Sequence, residues 1–461
     1  MTSAAPNWFF RRLSEFGHRE AIVYRDKALT YAQLGARIEE WHGILDNKGL
    51  PGGSVVALRG DYSPGICALF LAVALRRGVV VGLPLHEDTQ RHLEAVHAEG
   101  FFDFATSDDW SHTALSPGPP PSILKRLRDR AAAGLVVFTS GTTGHGKAAL
   151  FDFDVLIDRY RTARSALRTL VFLLLDHLGG IHTMLHTLAH GGTLVIGEER
   201  RVEDVARAIE RHRVELLPTT PTFLRMLLMS RVQERYDLAS LRLITYGTEP
   251  MPSSTLQALR HAFAGVGLKQ TYGLTELGVL PTRSRASDSL WLELGGIGCD
   301  VRVVDGVLWI RSDTAMLGYL NAPSPFDEDG WYNTHDAVEV DGPYVRILGR
   351  TNESINVGGQ KVYPSEVEST LLELDNVCDA TVRGEANPVT GQVVVARVTL
   401  AQAEDQESLE RRVRRFCRSR LAAYKVPVAV EIVEGDHHSQ RFKKVREGAT
   451  GIAGRGSPAP A

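Results

Sequence analysis

The chain contains an apolar run, Leu135-Val136-Val137-Phe138, that passes without a break into Thr139-Ser140-Gly141-Thr142-Thr143-Gly144-His145-Gly146-Lys147. The spacing predicts a short buried strand ending in a glycine-rich turn. In such a turn consecutive backbone N–H groups form a concavity suited to phosphate, and helix or turn termini of this kind are common anion sites. The glycines permit close backbone approach, and Lys147 adds a mobile positive charge. Residues 141–147 fit the first seven positions of the G-x-x-x-x-G-K-[ST] phosphate loop. The eighth is Ala148, which lacks the hydroxyl that would ligate Mg²⁺.

Around this loop, β-rich apolar runs alternate with amphipathic stretches, the pattern of an α/β protein with largely parallel sheets. Strands are expected at 54–58, 79–83, 135–138, 192–197, 214–218 and 241–246, with helices at 64–76, 202–212 and 221–228. From about 288 to 348, short segments between Gly and Asp turns predict a small antiparallel β unit. Beyond Arg350, a helix at 362–374, strands at 377–382 and 392–400 and a long helix at 407–421 predict a compact domain of its own. No repeat of solenoid or propeller length is visible. The expected organisation is a large α/β N-terminal unit, 1–349, a small α+β C-terminal domain, 350–447, and a Gly/Ala/Pro-rich, disordered tail, 448–461.

The 461 residues carry 52 Lys+Arg against 55 Asp+Glu, a net charge of −3. That balance supplies no global pull toward nucleic acid or an anionic membrane. No apolar run approaches the length of a membrane span, and the N-terminus lacks the layout of a signal peptide. Cys67, Cys299, Cys378 and Cys417 are scattered without metal-ligand spacing. The expectation is a reduced, cytoplasmic enzyme.

Residues 139–148 resemble the T-S-G-T-T-G-x-P-K-G signature of the adenylate-forming superfamily, which includes acyl- and aryl-CoA synthetases, adenylation domains and luciferases. Gly146 stands where proline is usual and Ala148 where glycine is usual. Four further segments resemble that family's motifs in the same order. Tyr272-Gly273-Leu274-Thr275-Glu276 is similar to Y-G-x-T-E. Trp331-Tyr332-Asn333-Thr334-His335-Asp336 is similar to W-x-x-T-G-D, with His335 in the glycine position. Residues 349–368 resemble the hinge and first strands of the family's mobile C-terminal domain, and 439–446 its T-x-x-G-K-x-x-R segment, with Phe442 replacing glycine.

The resemblance implies a nucleotide site. Thr139, Ser140, Gly141, Thr142, Thr143, Gly144 and Lys147 would hold the phosphates of ATP. Gly247, Thr248 and Glu249 would border the adenine with Tyr272, while Asp336 would accept hydrogen bonds from both ribose hydroxyls and Arg350 would reach the ribose or phosphate. Thr275 would reach the α-phosphate and Glu276 would hold Mg²⁺, because charge building on oxygen at the α-phosphorus needs donors and metal to offset it. Lys443 is the expected adenylation lysine, with Lys444 as the alternative register. Asn352 stands at the hinge. Gly358 and Gly359 would border the pantetheine of CoA.

Residues 175–181, Leu-Asp-His-Leu-Gly-Gly-Ile, resemble the F-H-x-G-G segment of acyl-CoA synthetases, which implies Asp176, His177 and Gly273 at the acid site. The implied reaction joins a carboxylic acid to ATP as acyl-AMP with loss of pyrophosphate, then passes the acyl group to a thiol. CoA is the expected acceptor. The alternative is an amino acid or acyl group adenylated and loaded onto a carrier protein. Asp176 bears on it, because amino-acid-activating relatives use an aspartate nearby to hold the substrate ammonium. The six arginines of 411–420 could face either acceptor, CoA or an acyl carrier protein. A non-catalytic nucleotide-binding module is the reading outside enzymes.

Overall fold

A computed structural model describes residues 7–85, 87–106, 108–139, 146–433 and 444. The strands on either side of the glycine-rich segment belong to a seven-stranded sheet. Gly134–Thr139 lies beside the central strand Val79–Leu83, parallel to it and antiparallel to Lys147–Asp152. Val55–Arg59 and Gly100–Thr106 continue the parallel part, and Asp109–Ala114 and Gly318–Tyr319 close the edges. A second sheet runs Gly267–Gln270, Leu243–Tyr246, Leu216–Thr219, Arg168–Leu170, Thr193–Ile196 and Glu20–Tyr24, all parallel, with Lys27–Thr30 antiparallel at the end. Strands buried on both faces explain why the sequence shows continuous apolar runs rather than alternation.

Helix Pro64–Leu75 shows the same logic. Ser63 caps its first turn by accepting from Ile66 N–H at 3.2 Å, and Pro64 occupies the position where a missing N–H costs nothing. Every residue from Pro64 to Ala74 is buried, so this helix has no solvent face and packs in the main core. The expected strands and helices of the N-terminal unit form within a few residues of their predicted ends.

The antiparallel unit is a six-stranded sheet: Thr282–Ser284, Leu292–Leu294, Tyr344–Arg350, Tyr332–Asp341, Val307–Ser312 and Cys299–Val304. Its first strand starts ahead of the predicted segment because Thr282–Ser284 owes its conformation to pairing with Leu292–Leu294. The C-terminal sheet contains Gln360–Val362, Ile355–Val357, Gly391–Leu400 and Val377–Asn387, with Ala429–Ile432 beside Gly391–Leu400. Helices Pro364–Leu371 and Gln406–Arg418 contribute Val367, Leu371, Leu409, Val413 and Cys417 to its core. Val377–Asn387 outruns its predicted end because the polar stretch 383–387 is held by a continuous hairpin ladder rather than by apolar burial.

Helix Leu178–Ala189 is seated by its second glycine. A Cβ on Gly180 would be driven into the Leu174 carbonyl, with the Leu173 carbonyl only 2.8 Å away. Neither is a side chain that can swing aside. Gly180→Ala should therefore lower unfolding stability by about 2–3 kcal/mol, read as a lower urea midpoint. An unchanged midpoint would show that the helix start can shift freely.

Candidate active site

The strand hairpin Tyr332–Asp341 and Tyr344–Arg350 places Asp336 directly opposite Arg350. Arg350 Nε lies 2.9 Å from Asp336 Oδ1. The hydroxyl of Tyr272 donates to Asp336 Oδ2 at 2.5 Å. Asp336 is 5% exposed, and burial holds its carboxyl above the ordinary value, with Arg350 pulling the other way. Burial, and then Asp336, push the Tyr272 phenol far upward, so it remains a donor. Both strands of one hairpin and the distant Tyr272 thus meet on one desolvated carboxylate.

Asp336 stands at the wall of a cavity of about 500 Å³ between the N-terminal unit and the C-terminal domain, lined also by Thr248, Glu249, Tyr272, Arg350 and Asn352. Glu249 ties its rim. Oε1 accepts from Thr222 N–H at 2.9 Å, in the first turn of helix Pro221–Met229, and Oε2 accepts from Lys444 N–H at 3.3 Å. A carboxylate at a helix N-terminus is favourably placed. Gly247 leaves no room for a side chain, since a Cβ would lie 2.5 Å from Thr271 Oγ1. Thr248 follows with φ +72°, a strained conformation for a β-branched residue.

The residues flanking the glycine-rich segment are braced. Thr139 pairs with Lys147 across the strands. Asn321 accepts from Ala148 N–H at 2.8 Å and donates to the Gly146 carbonyl at 3.1 Å. Lys147 Nζ sits 5.3 Å from the centre of the Tyr319 ring, and the Tyr319 hydroxyl donates to Glu276 Oε1 at 2.6 Å. Gly146 is small for a reason: a Cβ there would approach His92 Nε2 to 3.1 Å, and His92 is itself buried against Phe138.

Residues 99–320 match the family described as AMP-binding enzyme, and residues 366–443 match the AMP-binding enzyme C-terminal domain. A (methyl-dioxo-octahydroindenyl)propanoyl:CoA ligase of Rhodococcus jostii is 30% identical, over 94% of this chain and 95% of that one. A 2-succinylbenzoate–CoA ligase of Bacillus licheniformis is 28% identical over 93% and 96%. The solved structure of an anthranilate CoA ligase in complex with anthranoyl-AMP superposes with a TM-score of 0.80 at 20% identity, over 94% and 95%. The chain belongs to the AMP-binding enzymes.

In this AMP-binding enzyme the structure brings Thr248, Glu249, Tyr272, Gly273, Asp336, Arg350 and Asn352 to one cavity. Ser140, Gly141, Thr142, Thr143, Gly144 and Lys443 lie outside the described residues, as does the 448–461 tail. Thr275 and Glu276 are half-buried beside the tight hairpin Gly273–Leu274 and Gly278–Val279. A Cβ on Gly273 would lie 2.5 Å from the Gly278 carbonyl. His177 caps helix Leu178–Ala189, its Nδ1 accepting from Gly179 N–H at 3.2 Å. Asp176 turns inward instead. It is 7% exposed and packs at Gly82, within electrostatic reach of Tyr62 and Arg200.

Gly358 and Gly359 form the exposed two-residue turn of the hairpin Ile355–Val357 and Gln360–Val362, with φ +58° and +85°. They are not among the residues lining the cavity. Of the arginines in 411–420, Arg411, Arg412, Arg414 and Arg420 face Glu407, Glu404, Glu410 and Glu373. Motif reading missed Asn321 and Tyr319, because only the pairing of Gly318–Tyr319 with Lys147–Asp152 brings them to the loop.

His335 holds φ +58°. That geometry costs a non-glycine residue about 1–2 kcal/mol, partly offset by the chain entropy a glycine would bring. His335→Gly should stabilise the enzyme by about 0.5–1 kcal/mol, seen as a raised denaturant midpoint with an unchanged slope.

Proposed function

We propose that this AMP-binding enzyme activates a ring-bearing carboxylic acid with ATP and transfers the acyl group to CoA. The reaction has two halves. An acid oxygen attacks the α-phosphorus, forming acyl-AMP and releasing pyrophosphate. The thiol of CoA then attacks the acyl carbon, forming the thioester and releasing AMP. The observation that carries this reading is the Asp336–Tyr272–Arg350 arrangement in the cavity. Each carboxylate oxygen keeps a lone pair beyond its present partner, enough to accept from ribose hydroxyls. The acid class follows the two curated relatives, both named for acids built on rings.

The remaining roles follow the family's motifs as they stand in this chain. The adenine lies along Gly247, Thr248 and Glu249 against Tyr272. Thr139, Ser140, Gly141, Thr142, Thr143, Gly144 and Lys147 take the phosphates, and Thr275 donates to the α-phosphate. Glu276 suits Mg²⁺, which typically uses one or two carboxylates together with substrate phosphates and water, and whose charge would offset that of the phosphates. Tyr319 holds one oxygen of Glu276 and so orients the carboxylate. His177 and Gly273 border the acid. Asp176, buried inward, serves as a structural charge rather than as an anchor for a substrate ammonium.

Lys443 is assigned to adenylation because Lys444 is otherwise engaged. Lys444 Nζ donates to the Ala380 carbonyl at 2.8 Å and lies 3.4 Å from Asp379 and 3.8 Å from Glu368. For thioester formation the C-terminal domain rotates about Asn352, withdrawing Lys443 and bringing Gly358 and Gly359 to the pantetheine. That rotation must release Arg225, which donates to the Cys378 and Val377 carbonyls at 2.6 and 3.1 Å.

Acid-dependent pyrophosphate release from ATP and Mg²⁺, measured across aryl, fatty and amino acids with and without CoA, tests the reading. Release with ring-bearing acids, and thioester only with CoA, is expected. Thioester on a carrier protein alone would replace CoA as acceptor, and nucleotide binding without release would mark a non-catalytic module. Lys443→Ala should cut adenylation about 10²–10³-fold while sparing thioester formation from preformed acyl-AMP. Lys444→Ala should act mainly on stability.

A further inference from the structure

Arg225 is answered by backbone rather than by a carboxylate. Helix Pro221–Met229, which carries it, is capped by Thr220, whose hydroxyl accepts from Phe223 N–H at 3.2 Å. Phe223, Leu224 and Leu227 bury one face of the helix in the core of the second sheet. Arg225 lines the cavity from another face, together with Met226 and Met229. Its Nη1 donates to Thr255 Oγ1 at 3.4 Å. Thr255 is buried on helix Ser253–Ala262, so the side chain is propped within the N-terminal unit. Among the described residues no carboxylate comes within ion-pair distance of the guanidinium.

The acceptors come from the other side of the cavity, at the start of strand Val377–Asn387 in the C-terminal domain. Nε donates to the Cys378 carbonyl at 2.6 Å and Nη2 to the Val377 carbonyl at 3.1 Å. The ladder with Gly391–Leu400 pairs Val377 with Leu400 and Asp379 with Thr399, which leaves Cys378 as the extra residue of a β-bulge. Bulges take a residue out of the ladder and re-aim the backbone, often beside active sites. Here two successive carbonyls at the bulge meet the planar fork of one guanidinium, a geometry an ammonium cannot match. Burial lowers Arg225 from its ordinary value, with Asp379 and the Cys378 thiol opposing it. A charged donor makes a stronger hydrogen bond than a neutral one. A carbonyl, unlike a carboxylate, leaves no stranded charge when that bond opens. The contact can therefore hold and still release.

Lys444, in the segment that resembles the family's adenylation motif, lines the same cavity, and its N–H donates to Glu249 Oε2. On the ligase reading above, this is the orientation of the C-terminal domain in which acyl-AMP forms. We propose that Arg225 is a positioning residue that sets the balance between the two half-reactions, holding the C-terminal domain in the adenylating orientation through the Val377 and Cys378 carbonyls. It acts on the chemistry through the domain alone. A contact made in one of two orientations biases their populations by its own free energy, and its loss shifts them toward the other. This role rests on the ligase reading.

Cys378 reports the orientation without any substrate. It is half-buried at the contact, whereas Cys67, Cys299 and Cys417 are buried. Its alkylation by fluorescein maleimide, a reagent too large for the space one guanidinium leaves, is followed on the full chain, with Cys378→Ser as the blank. Arg225→Met should raise the rate about tenfold or more, the worth of a hydrogen bond from a charged donor. Arg225→Lys, with one donor group in place of the fork, should lie between. Burial raises the Cys378 thiol and Arg225 lowers it, so losing the arginine without domain movement would slow alkylation instead. Pyrophosphate release, and thioester formation from supplied acyl-AMP, are measured alongside with benzoate, 3-phenylpropanoate and the wider acid panel. Arg225→Met should lower the first relative to the second about tenfold. Alkylation no faster than in the wild type, or equal loss in both half-reactions, would overturn the latch and leave the ligase reading standing. Faster alkylation of Arg225→Met, with no pyrophosphate release from any acid of the panel even in the wild type, would support the domain contact and overturn the ligase reading.

Discussion

A single desolvated carboxylate organises the nucleotide end of this enzyme. Asp336 is nearly excluded from water, and an unpaired buried charge is far more costly than a paired one. Its two oxygens therefore recruit Tyr272 from the end of the second parallel sheet and Arg350 from the strand leading into the C-terminal domain. This requirement draws together a sheet edge, a β unit and a domain boundary. The cavity is what remains between them. Because Arg350 ends the strand that leads into the C-terminal domain, the same carboxylate also ties the first residue of that domain to the β unit.

The second organising feature is how the phosphate turn is braced. A glycine-rich turn loses much entropy on ordering, so its flanks must be rigid. The antiparallel pairing of Gly134–Thr139 with Lys147–Asp152 and the two-sided clamp of Asn321 supply that rigidity. Glycine at 146 fits the same frame, because a Cβ there would already crowd His92 and Phe138, at 3.1 and 3.3 Å. Strain gathers nearby, at Thr248 and His335, both in left-handed backbone. Strained residues persist where their surroundings overdetermine them, and both adjoin the nucleotide site.

Helix Leu178–Ala189 follows a different logic. Gly180 lets its first turn sit directly on the Leu173 and Leu174 carbonyls, and one face of it enters the main core. Its position is thus fixed by close backbone packing and apolar burial, whereas Asp336 is fixed by charge and hydrogen bonds.

Local features of the sequence carried the architecture far. Apolar runs of strand length alternating with helical periods specified parallel sheets. The order of short motifs specified the chemistry, because Gly, Thr, Lys, Glu and Asp are needed for it whatever surrounds them. Asp336 and Arg350 were each legible in this way. Their mutual contact was not, since it depends on the register of a hairpin with an irregularity at Ala337 and Val338. The same holds for Asn321 and Tyr319, brought to the phosphate turn by a two-residue edge strand, and for the inward turn of Asp176. Sequence alone determined which elements form and which chemistry they can support, because propensity, periodicity and side-chain type are local. Tertiary structure alone decided which charges face each other, because register, strand order and burial are set by packing across the whole chain.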